Sequence, residues 1–118
     1  MEKTVLLVED DLDLRDILQD ILEDEGYDVI PATDGHQALE HLRTSRGGAD
    51  APALMILDLM MPLVSGWQVL EAIHDDPSLE VPVIVVSASG RQRPRGVATY
   101  LRKPFNLMDL LASVHQSC

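Results

Sequence analysis

The sequence predicts an α/β fold of three layers, in which a parallel β-sheet lies between helices on both of its faces. Short apolar runs rich in Val, Ile and Leu alternate along the chain with segments whose apolar residues recur at helical spacing. Uninterrupted apolar strands are typical of a sheet that is covered on both sides. Their alternation with amphipathic segments favours parallel strands joined by helices. The 118 residues suffice for one such domain.

Five apolar runs are predicted to form the strands. They are Thr4–Val8, Val29–Ile30, Leu54–Leu57, Pro82–Val86 and Tyr100–Arg102. Helices are predicted where apolar residues recur every three or four positions, within residues 14–22, 38–42, 69–73 and 107–114. Gly26 and the Asp34-Gly35 pair mark turns between these elements.

The connection between the fourth and fifth predicted strands is unusually short. Only twelve residues, 88–99, separate Ser87 from Tyr100, whereas a crossover with its own helix needs at least about ten to twelve residues. The segment contains Gly90, Pro94 and Gly96, and its apolar residues show no helical period. We therefore expect the crossover helix to be absent or reduced to a turn. The three arginines at 91, 93 and 95 form either a rebuilt contact surface or a solvated loop.

Charge is distributed unevenly along the chain, and this excludes one class of function. The first forty residues carry thirteen acidic and two basic side chains, a net charge of −11, and the rest of the chain is neutral. Binding of nucleic acid through its phosphates is therefore not expected. No apolar run is long enough to cross a bilayer and no signal peptide is apparent, so we expect a cytoplasmic protein without membrane contact.

Polar side chains follow four of the predicted strands at the point where each strand ends. They are Glu9, Asp10, Asp58, Ser87 and Lys103. In parallel α/β sheets, ligands bind just beyond the carboxyl ends of the strands. Any one of these residues alone is more simply a helix cap or a solvated turn residue, but their joint placement at one edge indicates a site.

The three acidic residues of this set predict a cation. Carboxylates that converge within about 5 Å repel by about 3 kcal/mol per pair at an effective dielectric constant near 20, so the cluster needs a cation or a raised pKa. Carboxylate oxygens without His or Cys favour Mg²⁺ over zinc. With Lys103 facing phosphoryl charge and Ser87 donating a hydrogen bond, such a site suits transfer of a phosphoryl group to a carboxylate.

Five motifs, in order and at compatible spacing, closely resemble the receiver domain of two-component response regulators. They are Leu7-Val8-Glu9-Asp10-Asp11, Ile56-Leu57-Asp58-Leu59-Met60-Met61-Pro62, Gly66, Val86-Ser87-Ala88 and Lys103-Pro104-Phe105. The resemblance covers nearly the whole chain and implies one receiver domain over residues 1–118. It also implies a doubly wound five-stranded sheet with the flavodoxin-like strand order 2-1-3-4-5.

The resemblance also implies a role for each site residue. Asp58 is the expected phosphoacceptor. The expected Mg²⁺ ligands are Asp10, Asp58 and the backbone carbonyl of Met60, with Glu9 acting through water. Lys103 and Ser87 are expected to contact the phosphoryl group.

Two further expectations come from the family. Ser87 and Tyr100 are expected to form the conformational switch, and the Lys103–Pro104 peptide bond is expected to be cis.

By the same resemblance, the protein is a switch rather than a turnover enzyme. A sensor histidine kinase or a phosphotransfer protein supplies the phosphoryl group from a phosphohistidine, and the chain catalyses only its own phosphorylation and dephosphorylation. The signal passes to a downstream protein or to a fused output domain. The alternative function is a phosphorylation-independent interaction scaffold with the same fold. The intact set of site residues favours the phosphorylated receiver, and the short crossover favours the scaffold.

Overall fold

Five strands pair in parallel to form one sheet in the computed structural model, which describes residues 3–61, 63–88 and 94–118. The strands are β1 (Thr4–Val8), β2 (Asp28–Ala32), β3 (Leu54–Asp58), β4 (Val83–Ser87) and β5 (Thr99–Arg102). Their order across the sheet is β2-β1-β3-β4-β5. The predicted strand order is confirmed, β1 has the predicted bounds, and the ends of the other strands differ from the predicted ones by at most two residues.

Among the described residues, four α-helices and a short 3₁₀ helix connect and follow these strands. They are α1 (Leu12–Asp24), α2 (Gly35–Thr44), α3 (Gly66–Asp75), the 3₁₀ helix Pro77–Leu79 and α4 (Leu107–Ser117). Each α-helix begins at a side chain that accepts hydrogen bonds from the first-turn amides, and these caps are Asp11, Asp34, Ser65 and Asn106. The polar residues before each helix therefore fix where the chain leaves the sheet.

The sheet separates two hydrophobic cores, so the predicted three-layer fold is confirmed. Val5 and Leu7 of β1 face the core under α1 and α4, whereas Leu6 and Val8 face the core under α2 and α3. The residues of the central strands β3 and β4 are all buried, as expected for strands covered on both faces. The edge strands β2 and β5 are more exposed, and the edge position of β2 accommodates Pro31, which cannot donate a ladder hydrogen bond.

The connection from β4 to β5 contains no helix in its described part. Residue 88 and residues 94–98 form bends, turns and irregular backbone, which confirms the predicted loss of the crossover helix for these positions. The remainder of the segment, including the arginines at 91 and 93, lies outside the described residues. Beside this connection, Leu70, Ile73 and Val97 are only partly buried against the core under α2 and α3.

Within the described part of the chain, no helix has both the length and the apolar character that spanning a membrane requires.

Candidate functional site

Four neighbouring strands deliver the predicted site residues to one edge of the sheet. Asp58 and Ser87 are the last residues of β3 and β4, and the backbone amide of Lys103, just after β5, donates to the carbonyl of Ser87 at 2.8 Å. Glu9 follows β1, and its amide donates to the carbonyl of Ala32 at 3.1 Å. Because the strands are parallel, their carboxyl ends meet here, as the sequence predicts.

Three carboxylates converge at this edge. Glu9, Asp10 and Asp58 each offer an oxygen within 4.8 Å of the other two. Glu9 is 1% exposed and Asp58 is 3% exposed, whereas Asp10 lies open to solvent. At such a separation each charged pair repels by about 3 kcal/mol at an effective dielectric constant near 20, and burial reduces the compensation that water provides. The fold therefore concentrates negative charge that requires a positive partner.

Lys103 supplies positive charge from within the chain. Its Nζ donates to Glu9 Oε1 at 2.6 Å and to Asp58 Oδ2 at 3.1 Å, and its side chain is 21% exposed. The ammonium group thus bridges two buried carboxylates that come from β1 and β3. One positive charge between three acids leaves the cluster with net negative charge, and Asp10 is outside this bridge.

The protonation of Glu9 reflects this excess of negative charge. Burial, together with the nearby Asp58 carboxyl group, raises the pKa of Glu9 from 4.5 to about 7, although Lys103 acts in the opposite direction. Burial lowers the pKa of Lys103, but its hydrogen bonds to Glu9 and Asp58 outweigh this and raise the pKa above its ordinary value. At neutral pH the lysine is charged, and Glu9 takes up a proton readily in the absence of a cation.

The backbone around Asp58 is held in place by short contacts. The Met60 amide donates to Asp58 Oδ1 at 3.0 Å, and the Leu59 amide donates to the Val86 carbonyl at 3.3 Å. Gly66, at the start of α3, packs directly on this turn, because a Cβ there would lie 2.4 Å from the Asp58 carbonyl oxygen and 2.6 Å from Leu59 Cα. The two oxygens of Asp58 therefore have different partners, a backbone amide on Oδ1 and an ammonium group on Oδ2.

The remaining predicted residues occupy different depths near the site. Ser87 is fully buried, and Tyr100 is partly buried against the core under α2 and α3. The Lys103–Pro104 peptide bond is cis, as the resemblance implies. The side chain of Met60 is 60% exposed, which leaves only its backbone facing Asp58.

One residue near the acidic cluster was not predicted from the sequence. The Nη1 atom of Arg15, in the first part of α1, donates to the backbone carbonyl of Glu9 at 2.8 Å. The only signal in the sequence is that Arg15 is one of two basic residues among the first forty. Side chain to backbone contacts of this kind leave no pattern of residue types, so the contact could be found only in the structure.

The donor set at this edge fits a hard divalent cation. The candidate ligands are carboxylate oxygens, two of them on buried residues, and they lie close enough to share one ion. Mg²⁺ prefers oxygen ligands and retains several waters, which an exposed Asp10 beside buried Glu9 and Asp58 permits. No His or Cys belongs to this cluster, so its chemistry does not favour zinc.

Comparisons with known proteins find a matching family model and relatives that cover most of the chain. The model of the response regulator receiver domain family matches residues 5–115. The transcriptional regulatory protein CpxR of Escherichia coli strain K12 is 39% identical over 116 residues, which are 93% of this chain and 47% of the relative. An uncharacterized 14.6 kDa protein of Leptolyngbya boryana is 33% identical, over 97% of this chain and 88% of the relative. The chain thus spans about half the length of CpxR and nearly all of the second relative.

Solved structures of response regulators have the same fold as this chain. The response regulator TrrA of Thermotoga maritima, solved in complex with Mg²⁺-BeF, has a TM-score of 0.84 at 28% identity over 98% of this chain and 99% of the other. The chemotaxis response regulator CheY4 of Vibrio cholerae has a TM-score of 0.84 at 25% identity over 100% of both chains. With the family match over residues 5–115, these findings establish that the chain belongs to the response regulator receiver domain family of two-component systems.

Proposed function

We propose that the chain is a phosphoacceptor receiver, in which Asp58 accepts a phosphoryl group from a phosphohistidine in an Mg²⁺-dependent step. The observation that carries this proposal is the convergence of Glu9, Asp10 and Asp58 within 4.8 Å of one another, next to the Lys103 ammonium group. A site of this charge composition stabilises a bound cation and a transferred anionic group together.

The proposed step forms one bond and breaks one. A carboxylate oxygen of Asp58 attacks the phosphorus atom, and the bond from phosphorus to the donor imidazole nitrogen breaks, so that the nitrogen leaves with its electron pair. Each oxygen of Asp58 accepts one hydrogen bond, Oδ1 from the Met60 amide and Oδ2 from the Lys103 ammonium group, and the attack uses a lone pair that these donors leave free. The Lys103 ammonium group, which contacts Oδ2 at 3.1 Å, is close enough to pair with the transferred phosphoryl group.

The chain's own residues fit the binding of Mg²⁺ at this site. We propose Asp10, Asp58 and the Met60 backbone carbonyl as direct ligands and Glu9 as a ligand through water. When bound, Mg²⁺ would neutralise charge on the carboxylates and on the phosphoryl oxygens. Because the pKa of Glu9 is raised to about 7, Glu9 would release its proton when a cation occupies the site.

The proposed signal is a shift between two conformations. Ser87, fully buried at the end of β4, would move to hydrogen-bond the phosphoryl group, and Tyr100 on β5, partly buried nearby, would change its packing in response. Because the domain acts only on its own carboxylate, we propose a switch rather than a turnover enzyme. The proposed partners are a histidine kinase or phosphotransfer protein and a downstream protein or output domain. A cytoplasmic location and the lack of nucleic-acid binding stay predictions.

Phosphorylation by acetyl phosphate separates this proposal from the scaffold alternative. We expect the intact mass of the wild type to rise by one phosphoryl group in the presence of Mg²⁺, and to be unchanged when the cation is chelated. The Asp58→Asn variant should gain nothing. Asp50→Asn, which changes an exposed acid in the loop before β3, is the matched control and should behave as the wild type. A wild type that gains no mass would favour the scaffold, which the lack of a crossover helix in residues 88 and 94–98 supports.

A further inference from the structure

The peptide group between Glu9 and Asp10 is held by a side chain from α1. Arg15 Nη1 donates to the Glu9 carbonyl oxygen at 2.8 Å, while the Glu9 amide donates to Ala32 at 3.1 Å. The Glu9 side chain is in turn fixed by Lys103 at 2.6 Å. Glu9 is therefore restrained at its amide, its carbonyl and its carboxylate, and Arg15 provides the carbonyl restraint.

The restraint on the carbonyl extends to the next residue. A peptide group is planar, so fixing the carbonyl oxygen of Glu9 also fixes the direction of the Asp10 nitrogen and Cα. Asp10 depends on this, because no hydrogen bond or ion pair reaches its carboxylate among the described residues and the side chain is exposed. Its position relative to Glu9 and Asp58 is set mainly by the backbone.

We infer that Arg15 is a positioning residue for the cation site, because it fixes the peptide group from which Asp10 extends. The inference rests on the proposed function, in which Asp10 is a direct Mg²⁺ ligand. Groups that orient metal ligands through such outer contacts typically change metal affinity about 10-fold to 100-fold when they are removed. Arg15 contacts the backbone carbonyl of Glu9 rather than a carboxylate oxygen or a reacting atom, so it acts through the backbone.

The sign of the effect distinguishes positioning from simple electrostatics. A guanidinium group that acted only by its positive charge would repel Mg²⁺, and its removal would tighten binding. A guanidinium group that orients Asp10 would have the opposite effect, since its removal would leave the ligand free to rotate away. The two roles therefore predict changes of opposite direction in one measured quantity.

Calorimetric titration with Mg²⁺ alone tests this inference. We expect Arg15→Met, which keeps the aliphatic stem and removes charge and donors, to weaken Mg²⁺ binding by about 10-fold. Arg15→Lys restores a charged donor and should fall between Met and the wild type. Arg43→Gln, which removes one positive charge from the exposed part of α2, is the control for net charge and should bind within about 2-fold of the wild type.

A second readout follows the restraint itself without any cation. In the metal-free protein, we expect Arg15→Met to speed hydrogen exchange at the Asp10 and Asp11 amides, while the amides of β3 are unchanged. Arg15→Gln replaces Arg15→Met in both measurements if the methionine variant does not fold. Unchanged or tighter Mg²⁺ binding in the folded variant would overturn the inference. If the variants Asp10→Asn and Asp58→Asn each bind Mg²⁺ as tightly as the wild type, the proposed function is overturned instead.

Discussion

The carboxyl edge of the sheet and the connection between β4 and β5 differ in how strongly their backbone is held. At the edge, Glu9 and Asp58 are buried, share Lys103 and are fixed by backbone hydrogen bonds. In the connection, residue 88 and residues 94–98 form no helix, and Gly96 has a φ of +76°. The residues proposed to carry the chemistry are thus held by several contacts, while the described part of the connection has little secondary structure.

This difference indicates which of the two regions should tolerate substitutions. At the edge, side chains that are far apart in the sequence share partners, since Lys103 contacts both Glu9 and Asp58. The connection leads to the edge strand β5, and Ile73 and Val97 beside it are only partly buried. Changes at the edge should therefore have large effects and changes in the connection small ones.

The largest effect is expected at Gly66. A Cβ at this position would lie 2.4 Å and 2.6 Å from backbone atoms of Asp58 and Leu59, and backbone cannot move aside without displacing the site. We expect Gly66→Ala to lower the free energy of unfolding by about 3 kcal/mol or more. Urea denaturation measures this. Gly48→Ala, whose nearest neighbour would be the Ser45 carbonyl at 3.3 Å, should cost less than about 1 kcal/mol, and equal losses in both variants would contradict the account.

Lys103→Met should affect the reaction most among variants that fold. The substitution removes the donor that contacts Glu9 and Asp58, and loss of a charged donor aimed at the developing charge reduces rates by roughly 100-fold. The rate of mass gain from acetyl phosphate, normalised to the folded fraction, provides the measurement. Arg102→Met, one residue earlier and exposed at the end of β5, should retain the wild-type rate. A lysine variant as fast as this control would show that the ammonium group has no part in the transfer.

Stability without a cation should depend on pH through Glu9. Between pH 4.5 and about pH 7 the folded protein keeps a proton on Glu9 that the unfolded chain has lost. The contribution of this proton to the free energy of unfolding is therefore complete below pH 4.5 and disappears as the pH rises through about 7. In EDTA, we expect the free energy of unfolding of the wild type to fall by roughly 1–3 kcal/mol relative to that of Glu9→Gln as the pH rises over this range. Urea unfolding at a series of pH values for both proteins gives the difference, and a constant difference would exclude the raised pKa of Glu9.

The smallest effect is expected in the connection. Arg95 is exposed, and within the part of the chain that the structure describes it forms no hydrogen bond or ion pair with the acidic cluster, so Arg95→Ala should change the free energy of unfolding by less than about 0.5 kcal/mol. The rate at which acetyl phosphate phosphorylates the Arg95→Ala variant should stay within about 2-fold of the wild-type rate. A loss of phosphorylation rate comparable to that of Lys103→Met would mean that the connection is coupled to the carboxyl edge, which contradicts the expected difference between them.

The sequence predicts most of the fold because its strands are short, continuous apolar runs that end at polar residues. The burial of β3 and β4 follows from this pattern, and so does the meeting of Glu9, Asp58 and Lys103 at one edge. The pattern underestimates β2, which runs from Asp28 to Ala32 and includes Pro31, because an edge strand needs neither full burial nor every hydrogen bond.

Other parts of the site could not be predicted, since they depend on geometry rather than residue type. The contact of Arg15 with the Glu9 carbonyl requires the angle at which α1 leaves β1. Away from the site contacts, in the loop before α3, exposed Leu63 has a positive φ of 64°, which is unusual for a leucine and which nothing in its residue type indicates. The raised pKa of Glu9 needs the distances to Asp58 and Lys103 as well as the burial.

The position of the phosphoryl group tests the central claim most directly. Borohydride reduces an acyl phosphate on aspartate to homoserine, so treatment of the phosphorylated protein, followed by peptide mass spectrometry, identifies the modified carboxylate. The account predicts homoserine at position 58 alone, only in samples incubated with both acetyl phosphate and Mg²⁺. Conversion at another acidic residue, or none in a sample whose intact mass has increased, would contradict it.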